Sequence, residues 1–155
     1  MRNRVQLYVA VLLASACTKR MYSGPLRPAS ELAVLASDDS VISELDGRKT
    51  PIEEYGNHTR FEVLPGAHSV GVSLNMSRGN TTYYSLVPYT VCMKAEAGKL
   101  YRVKVEVEGS LWRPYIIDDD SEERVSLACD GSRSFGLGPM DRLLYVPLPV
   151  ASEKQ

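Results

Sequence analysis

Apolar and polar residues alternate at every second position along several stretches of this chain, and this alternation constrains the fold more than any other feature. In the segment 101–108, YRVKVEVE, one tyrosine and three valines alternate with four charged residues. The segment 69–74, SVGVSL, repeats the period with serine and glycine in place of charge. Side chains of a β-strand point to opposite faces in turn, so both segments predict half-buried strands. A one-residue slip would bury the four charges, which strongly specifies the register of 101–108.

Turn residues divide much of the chain at hairpin spacing. Pro65-Gly66, Asp46-Gly47 and the segment 97–99 each follow an alternating stretch, and tight turns favour these residue types. For the first strand, one helical turn capped by Ser30 is the alternative. The pattern is typical of an all-β chain and predicts an antiparallel β-sandwich within residues 31–130. About seven short strands are expected, at 31–36, 41–45, 60–64, 67–74, 90–96, 101–108 and 111–117.

The N-terminal stretch predicts export and lipidation. Two arginines precede an uncharged, largely apolar run that ends at Ala16, which is the layout of a signal peptide over residues 1–16. Small residues directly before Cys17 resemble the lipobox of bacterial lipoproteins, and the resemblance implies that Cys17 carries a diacylglycerol and palmitate-type chains. Thr18 after the cysteine implies, by the same resemblance, sorting to the outer membrane. The alternative is an ordinary signal peptide cut near Ala16, which would leave a free thiol.

Two segments that flank the predicted sandwich are expected to be extended. Residues 17–30 mix glycine and two prolines with charge, which predicts a lipidated tether that lets the domain stand off the membrane, with Tyr22 docked on the domain edge. Residues 131–155 begin as a glycine-rich loop and continue as RLLYVPLPV. The two prolines of that run restrict it to an edge strand or an extended strap.

The charge balance argues against nucleic acid as a partner. The chain of 155 residues, a length that suits one domain, carries 18 basic and 19 acidic residues and a formal net charge of −1 at pH 7. Binding to phosphates requires clustered Lys and Arg, and the sequence has no such cluster. No nucleic-acid partner is therefore expected.

The chain has three cysteines. If Cys17 is acylated and the chain is exported to an oxidising compartment, Cys92 and Cys129 remain as a natural disulfide pair. Such a bridge would contribute about 3–4 kcal/mol by restricting the unfolded chain. Because Cys92 alternates with Thr90 and Lys94, it should face away from the core, so the bridge would tie a later segment to the outside of the sheet.

Few side chains are arranged for catalysis or metal binding. His68 is expected at the rim of the core, where a ring nitrogen can satisfy a turn carbonyl, and a serine-hydrolase pairing of His68 with Asp46 is the alternative. The acidic run 118–123, DDDSEE, lacks EF-hand spacing and predicts a solvated loop kept extended by repulsion. No catalytic residue, metal or cofactor is predicted, so the chain is not expected to be an enzyme.

Two groups of aromatic residues are candidates for partner contact. Trp112, Arg113 and Tyr115 form the first, because exposed aromatic and arginine side chains anchor partners. Against this, a lone tryptophan in a sandwich usually plugs the core, and this interpretation of Trp112 is the favoured one. Tyr83 and Tyr84 form the second, in a stretch that predicts an edge strand suited to pairing with a partner's strand.

The sequence also resembles a group of small bacterial lipoproteins. The turn Asp46-Gly47, followed by Pro65-Gly66-Ala67-His68 and alternating valines, is similar to PEGA-type modules, which are small β-sandwich repeats of bacterial surface proteins. The resemblance covers roughly residues 17–118. It rests on YSGPLRPASELAVL, ISELDGRKT, FEVLPGAHSVGVSL and AEAGKLYRVKVE. It implies a fold and a location, and it carries over no catalytic residue.

Together these features predict a non-enzymatic lipoprotein held by Cys17 at the periplasmic face of the bacterial outer membrane. Its expected role is to contribute structure or contacts to an envelope assembly, with an envelope protein as partner. The alternative is a periplasmic binding module that takes a glycan or a peptide along the aromatic edge.

Overall fold

The computed structural model describes residues 18–51, 59–85, 87–109, 111–127, 129 and 141–147, with the backbone alone at 78 and 141–147. The prediction of an all-β chain is confirmed, whereas the predicted signal peptide 1–16, Cys17 and much of the predicted strap lie outside the described residues. The stretch after Ser30 forms a strand at Ala33–Ser37, as predicted, and a short 3₁₀ turn at Ala29–Glu31, which Ser30 does not cap, precedes it. No described helix is long and apolar enough to cross a bilayer. The strands are β1 (Thr18–Arg20), β2 (Ala33–Ser37), β3 (Ser40–Leu45), β4 (Arg48–Lys49), β5 (Thr59–Val63), β6 (Gly66–Arg78), β7 (Thr81–Ser85), β8 (Tyr89–Ala95), β9 (Leu100–Glu108), β10 (Leu111–Asp118) and β11 (Asp141–Pro147).

The strands pair in two sheets that one strand connects. The first sheet has the order β1-β5-β2-β9-β10, and the second has the order β4-β3-β6, with β7 and β8 also paired to β6. β11 pairs through Asp141 and Arg142 with β10 and through residues 143–147 with β7, and so joins the sheets. The pairs β2–β9 and β1–β5 are parallel. The prediction of purely antiparallel pairing is therefore wrong, and the described residues hold more strands than the seven expected, because turn signals report hairpins and not the pairing of distant strands.

β6 extends beyond the alternating segment that predicted it and pairs with two later strands. β7 pairs with the C-terminal part of β6 and β8 with its N-terminal part. Val87 and Pro88 lie between the two partners, where the pairing register shifts, and proline at this point removes no ladder hydrogen bond. Val87 is 60% exposed.

One core lies between the buried faces of the two sheets. Trp112 of β10 is fully buried in it, and its ring meets that of Tyr89 edge to face, with 6.0 Å between the ring centroids. The alternation in β6 and β9 is confirmed, although the last two valines of β9 are only partly buried. The inward residues of these strands are Val70, Val72, Leu74, Tyr101 and Val103, followed by Val105 and Val107.

The segment that follows Cys17 is part of the first sheet instead of the free tether expected from the sequence. β1 runs parallel to Arg60–Glu62 of β5, and the Met21 N–H donates to the Glu62 carbonyl at 3.0 Å. Tyr22 docks on the domain edge, as predicted, and is 9% exposed. A sheet edge holds a strand through backbone hydrogen bonds, so β1 forms without the apolar alternation that would have revealed it.

Part of the C-terminal run forms a strand, which is one of the two forms expected from its prolines. Asp141 and Arg142 pair with β10 and residues 143–147 pair with β7, so each paired residue of β11 has one strand partner. Pro147 is the last residue of β11 and Pro149 follows it in sequence. Pro147 therefore lacks a ladder donor only at the end of the strand.

Candidate functional site

The structure separates the side chains predicted to contact a partner, and it removes Trp112 from the surface. Along β10, Trp112, Pro114 and Ile116 are buried, whereas Arg113 and Tyr115 lie on the opposite, partly exposed face. Trp112 is 0% exposed. The interpretation of Trp112 as a core residue is confirmed and that of a surface contact is wrong, because an outward Arg113 forces its neighbour inward in a strand.

The two neighbouring tyrosines of β7 also point to opposite faces. Tyr83 pairs with Met76 and packs against the core, whereas Tyr84 pairs with Asn75 on the outer face. β7 has β6 on one side and β11 on the other. The expected edge strand for a partner is therefore already paired within this chain.

Tyr84 instead lines a shallow hollow on the outer face of the second sheet. The hollow has a volume of about 490 Å³ and lies where β3, β6 and β7 meet. Its lining residues are Val41, Ser73, Leu74, Asn75 and Tyr84. The lining offers a phenol ring, an amide and a hydroxyl, which suit a flat ring or a peptide. Tyr84 is the one lining residue of a type that transfers protons in catalysis, and none of the five is a carboxylate, histidine, lysine or cysteine.

Hydrogen bonds beneath the hollow fix its wall. The Ser73 hydroxyl donates to Ser43 Oγ at 3.1 Å, and the Ser43 hydroxyl donates to the Gly71 carbonyl at 3.1 Å. A Cβ atom at Gly71 would lie 2.9 Å from the Cβ of Glu44, so glycine allows β3 and β6 to approach closely. Sequence reasoning missed Asn75 as a lining residue, although it continues the outward positions of β6.

Arg113 and Tyr115 belong to a separate cluster on the outer face of the first sheet. The Arg113 guanidinium donates to Glu106 through Nε at 2.8 Å, with a second nitrogen at 2.7 Å from the same oxygen. The Arg124 guanidinium lies 3.7 Å from the centroid of the Tyr115 ring. Both predicted contact residues are therefore partly covered by side chains of their own domain.

The segment that carries Arg124 is joined to the second sheet by the disulfide Cys92–Cys129, as the cysteine pairing predicted. The two Cα atoms are 4.9 Å apart. The Leu127 N–H donates to the Cys92 carbonyl at 2.6 Å, and the Cys92 N–H donates back at 3.3 Å. The segment therefore lies along the edge of β8, and not across its face.

His68 has the structural role that the sequence predicted. Its Nε2–H donates to the Leu64 carbonyl at 2.6 Å, and its Nδ1 lies 2.8 Å from Asp46 Oδ2. The other oxygen of Asp46 accepts the Ser69 N–H at 3.0 Å. His68 and Asp46 do meet, but both ring nitrogens are engaged, so no nitrogen is left to activate a serine.

The acidic run after β10 is folded back by two cations and is not the extended loop expected from repulsion. Arg102 forms a two-pronged pair with Asp119, at 2.6 and 2.9 Å, and also binds Asp38. Lys99 lies 3.0 Å from Asp118. The hydrogen bond from Lys99 lowers the pKa of Asp118, and the hydrogen bond from Arg102 lowers the pKa of Asp119. Among the described residues, no group of three His, Cys, Asp or Glu side chains is placed to hold a metal ion.

Replacing Arg102 with glutamine is expected to lower the free energy of unfolding by about 1–2 kcal/mol at pH 7, because two part-buried carboxylates lose their charged donor. The folded-state pKa of Asp119 lies below its ordinary value. The stabilisation is therefore fully present above the unfolded pKa of about 3.9 and is lost as the pH falls through the folded pKa. Urea unfolding across this range measures the effect. The free energies of unfolding of wild type and Arg102→Gln should become equal in acid. Arg48→Gln, on the exposed β4, is the control and should have the free energy of unfolding of wild type at every pH. A difference between wild type and Arg102→Gln that does not change with pH would contradict the assignment.

Comparison of the chain with protein-family models, with curated proteins and with solved structures finds no match in any of the three. The resemblance to PEGA-like lipoproteins therefore stays a prediction. The geometry of the described residues is the basis for proposing a function.

Proposed function

We propose that this protein is a non-enzymatic lipoprotein, anchored by acylated Cys17 at the periplasmic face of the bacterial outer membrane, and that it serves as a structural or interaction module of the cell envelope. The observation that carries the proposal is that Cys17 directly precedes the first strand of the folded domain. Acyl chains at this residue would hold the whole two-sheet domain at the membrane, and several chains anchor far more stably than one.

The use of reactive side chains within the domain supports a non-enzymatic role. His68 is occupied by Asp46 and a backbone carbonyl, Asp118 is paired with Lys99, and Asp119 is paired with Arg102. A nucleophile needs a base that is free to accept its proton. The described surface instead offers the hollow beside Tyr84, which suits contact with another molecule.

Replacing Cys17 with serine is expected to abolish both acylation and the cleavage before position 17, so that the protein no longer reaches the outer membrane. Fractionation of bacterial cells that express the full chain measures this: wild type should sediment with outer membranes, and Cys17→Ser should be absent from them. Ser23→Ala, at an exposed position nearby, is the matched control and should behave as wild type. The proposal fails if Cys17→Ser still sediments with outer membranes, or if the mass of the wild-type N-terminal peptide lacks acyl chains.

A binding module for a glycan or a peptide is the second candidate, and the hollow lined by Tyr84 and Asn75 favours it. Cell-wall fragments that raise the melting temperature of wild type and of Tyr115→Ala, but not of Tyr84→Ala, would support this role. A stable envelope protein purified with the lipidated chain, and no effect of the fragments, would support the assembly role instead.

A further inference from the structure

The proposed anchor leaves no spacer between lipid and sheet. Cys17 and Thr18 are consecutive, so their Cα atoms are about 3.8 Å apart, and Thr18 already pairs with Arg60 of β5. β1 is at the end of the strand order, and no other described strand pairs with it. The edge of the first sheet therefore lies at the membrane surface if Cys17 is acylated.

This edge carries an excess of basic side chains. The segment 18–30 contains Lys19, Arg20 and Arg27 and no acidic residue, while Glu31 pairs with Arg27 at 3.5 Å and Glu62 of β5 lies beside Arg20. All three basic side chains are exposed, as is Arg60 on the neighbouring strand. Basic residues beside a lipid anchor attract anionic headgroups, and a lipid chain combined with a basic patch binds more stably than the chain alone.

A large apolar side chain stands out from the same segment. Leu26 is 83% exposed, the highest value among the described large apolar residues that face solvent. Its loop is held in place, because the Arg27 N–H donates to the Tyr22 hydroxyl at 3.3 Å and Arg20 lies over the Tyr22 ring, 5.4 Å from its centroid. Tyr22 itself is buried in the domain edge. Leu26 is therefore presented outward by a fixed loop, which is the arrangement of a side chain that inserts among headgroups.

We propose that β1 and the loop 22–28 form a membrane-docking edge that lies against anionic lipid headgroups, with Leu26 inserted between them and the exposed Lys19, Arg20 and Arg27 on the same edge. This inference rests on the proposed lipidation of Cys17. The docking edge would give the domain one fixed orientation at the membrane, and it would hold the hollow beside Tyr84, which belongs to the other sheet, available to a partner.

The test uses tryptophan as a depth probe in the full chain, lipidated in bacterial cells and reconstituted into vesicles. Leu26→Trp reports on the docking edge, and Val87→Trp, at another exposed apolar position, is the matched control. Trp112 is buried and contributes the same background to both. In vesicles of phosphatidylglycerol with brominated acyl chains, Leu26→Trp should show a blue-shifted emission and a loss of intensity, while Val87→Trp should show no more quenching than wild type.

The charge contribution is tested in the same vesicles. Adding Lys19→Gln and Arg20→Gln to Leu26→Trp should reduce the quenching, as should high salt, whereas Arg48→Gln with Lys49→Gln on β4 should leave it unchanged. Equal quenching at positions 26 and 87 in membrane-held protein overturns the docking edge and leaves the lipid anchor intact. If fractionation finds that the protein is not lipidated, the proposed function fails. In that case the soluble Leu26→Trp protein is mixed with the same vesicles, and an unchanged tryptophan emission overturns the docking edge as well.

Discussion

Replacing Cys92 and Cys129 together with serine is expected to lower the free energy of unfolding by about 4 kcal/mol. The bridge spans a sequence separation of 37 residues, and a cross-link over such a loop removes this much conformational freedom from the unfolded chain. The bridge also holds Leu127 beside Cys92 of β8, whereas Arg124 pairs with Ile117 of β10. Urea unfolding followed by tryptophan fluorescence measures the loss.

The third cysteine provides the control for this result. Cys17→Ser leaves the bridge intact, so its unfolding midpoint should equal that of wild type in the same detergent solution. Treatment of wild type with dithiothreitol should reproduce the loss seen in the double variant. Equal midpoints for the oxidised and reduced protein would mean that the bridge does not stabilise the fold.

Trp112→Ala is expected to lower the free energy of unfolding by about 3–5 kcal/mol, as removal of a large buried side chain leaves a cavity in the core. The ring is fully buried and packs against Tyr89. Trp112→Phe should cost much less, since most of the ring contact is kept and the indole Nε1 has no hydrogen-bond partner among the described residues. Urea unfolding followed by circular dichroism measures both variants, because the tryptophan signal is lost.

Tyr84→Ala is the surface counterpart of this change. Tyr84 is only partly buried and lines the hollow, so its loss should change stability by less than about 1 kcal/mol. A Trp112→Ala protein with wild-type stability would contradict the core position of Trp112. A Tyr84→Ala protein as unstable as Trp112→Ala would make Tyr84 a structural residue and not a contact.

The parts of the fold that the sequence predicted are those where one face is strongly apolar. Val103 and Val72 are buried because charge or hydroxyls on the other face leave each strand a single register. β1 was missed because Thr18, Lys19 and Arg20 are held by backbone bonds, which leave no trace in side-chain pattern. The parallel pair β2–β9 was missed because no local turn signal reports pairing between strands so far apart in sequence.

The candidate site was predicted only in part, for a related reason. Tyr84 could be singled out as an aromatic residue, but its neighbours in the hollow come from β3 and β6, and their proximity depends on the pairing register. The burial of Trp112 was available from the sequence, since Arg113 next to it is charged and must face water. Leu26 has no signature at all, because exposure is a property of the folded loop.

The parallel pairing of β2 with β9 bears on how quickly this protein reaches its folded state. Val34 lies beside Leu100, so more than half of a domain must be synthesised before that contact can form, and contacts between distant residues form slowly. A chain that acquires its tertiary structure late stays unfolded for longer after synthesis. Passage through a secretion channel demands a chain in that condition, so the topology of the first sheet is suited to the export that lipidation at Cys17 would require.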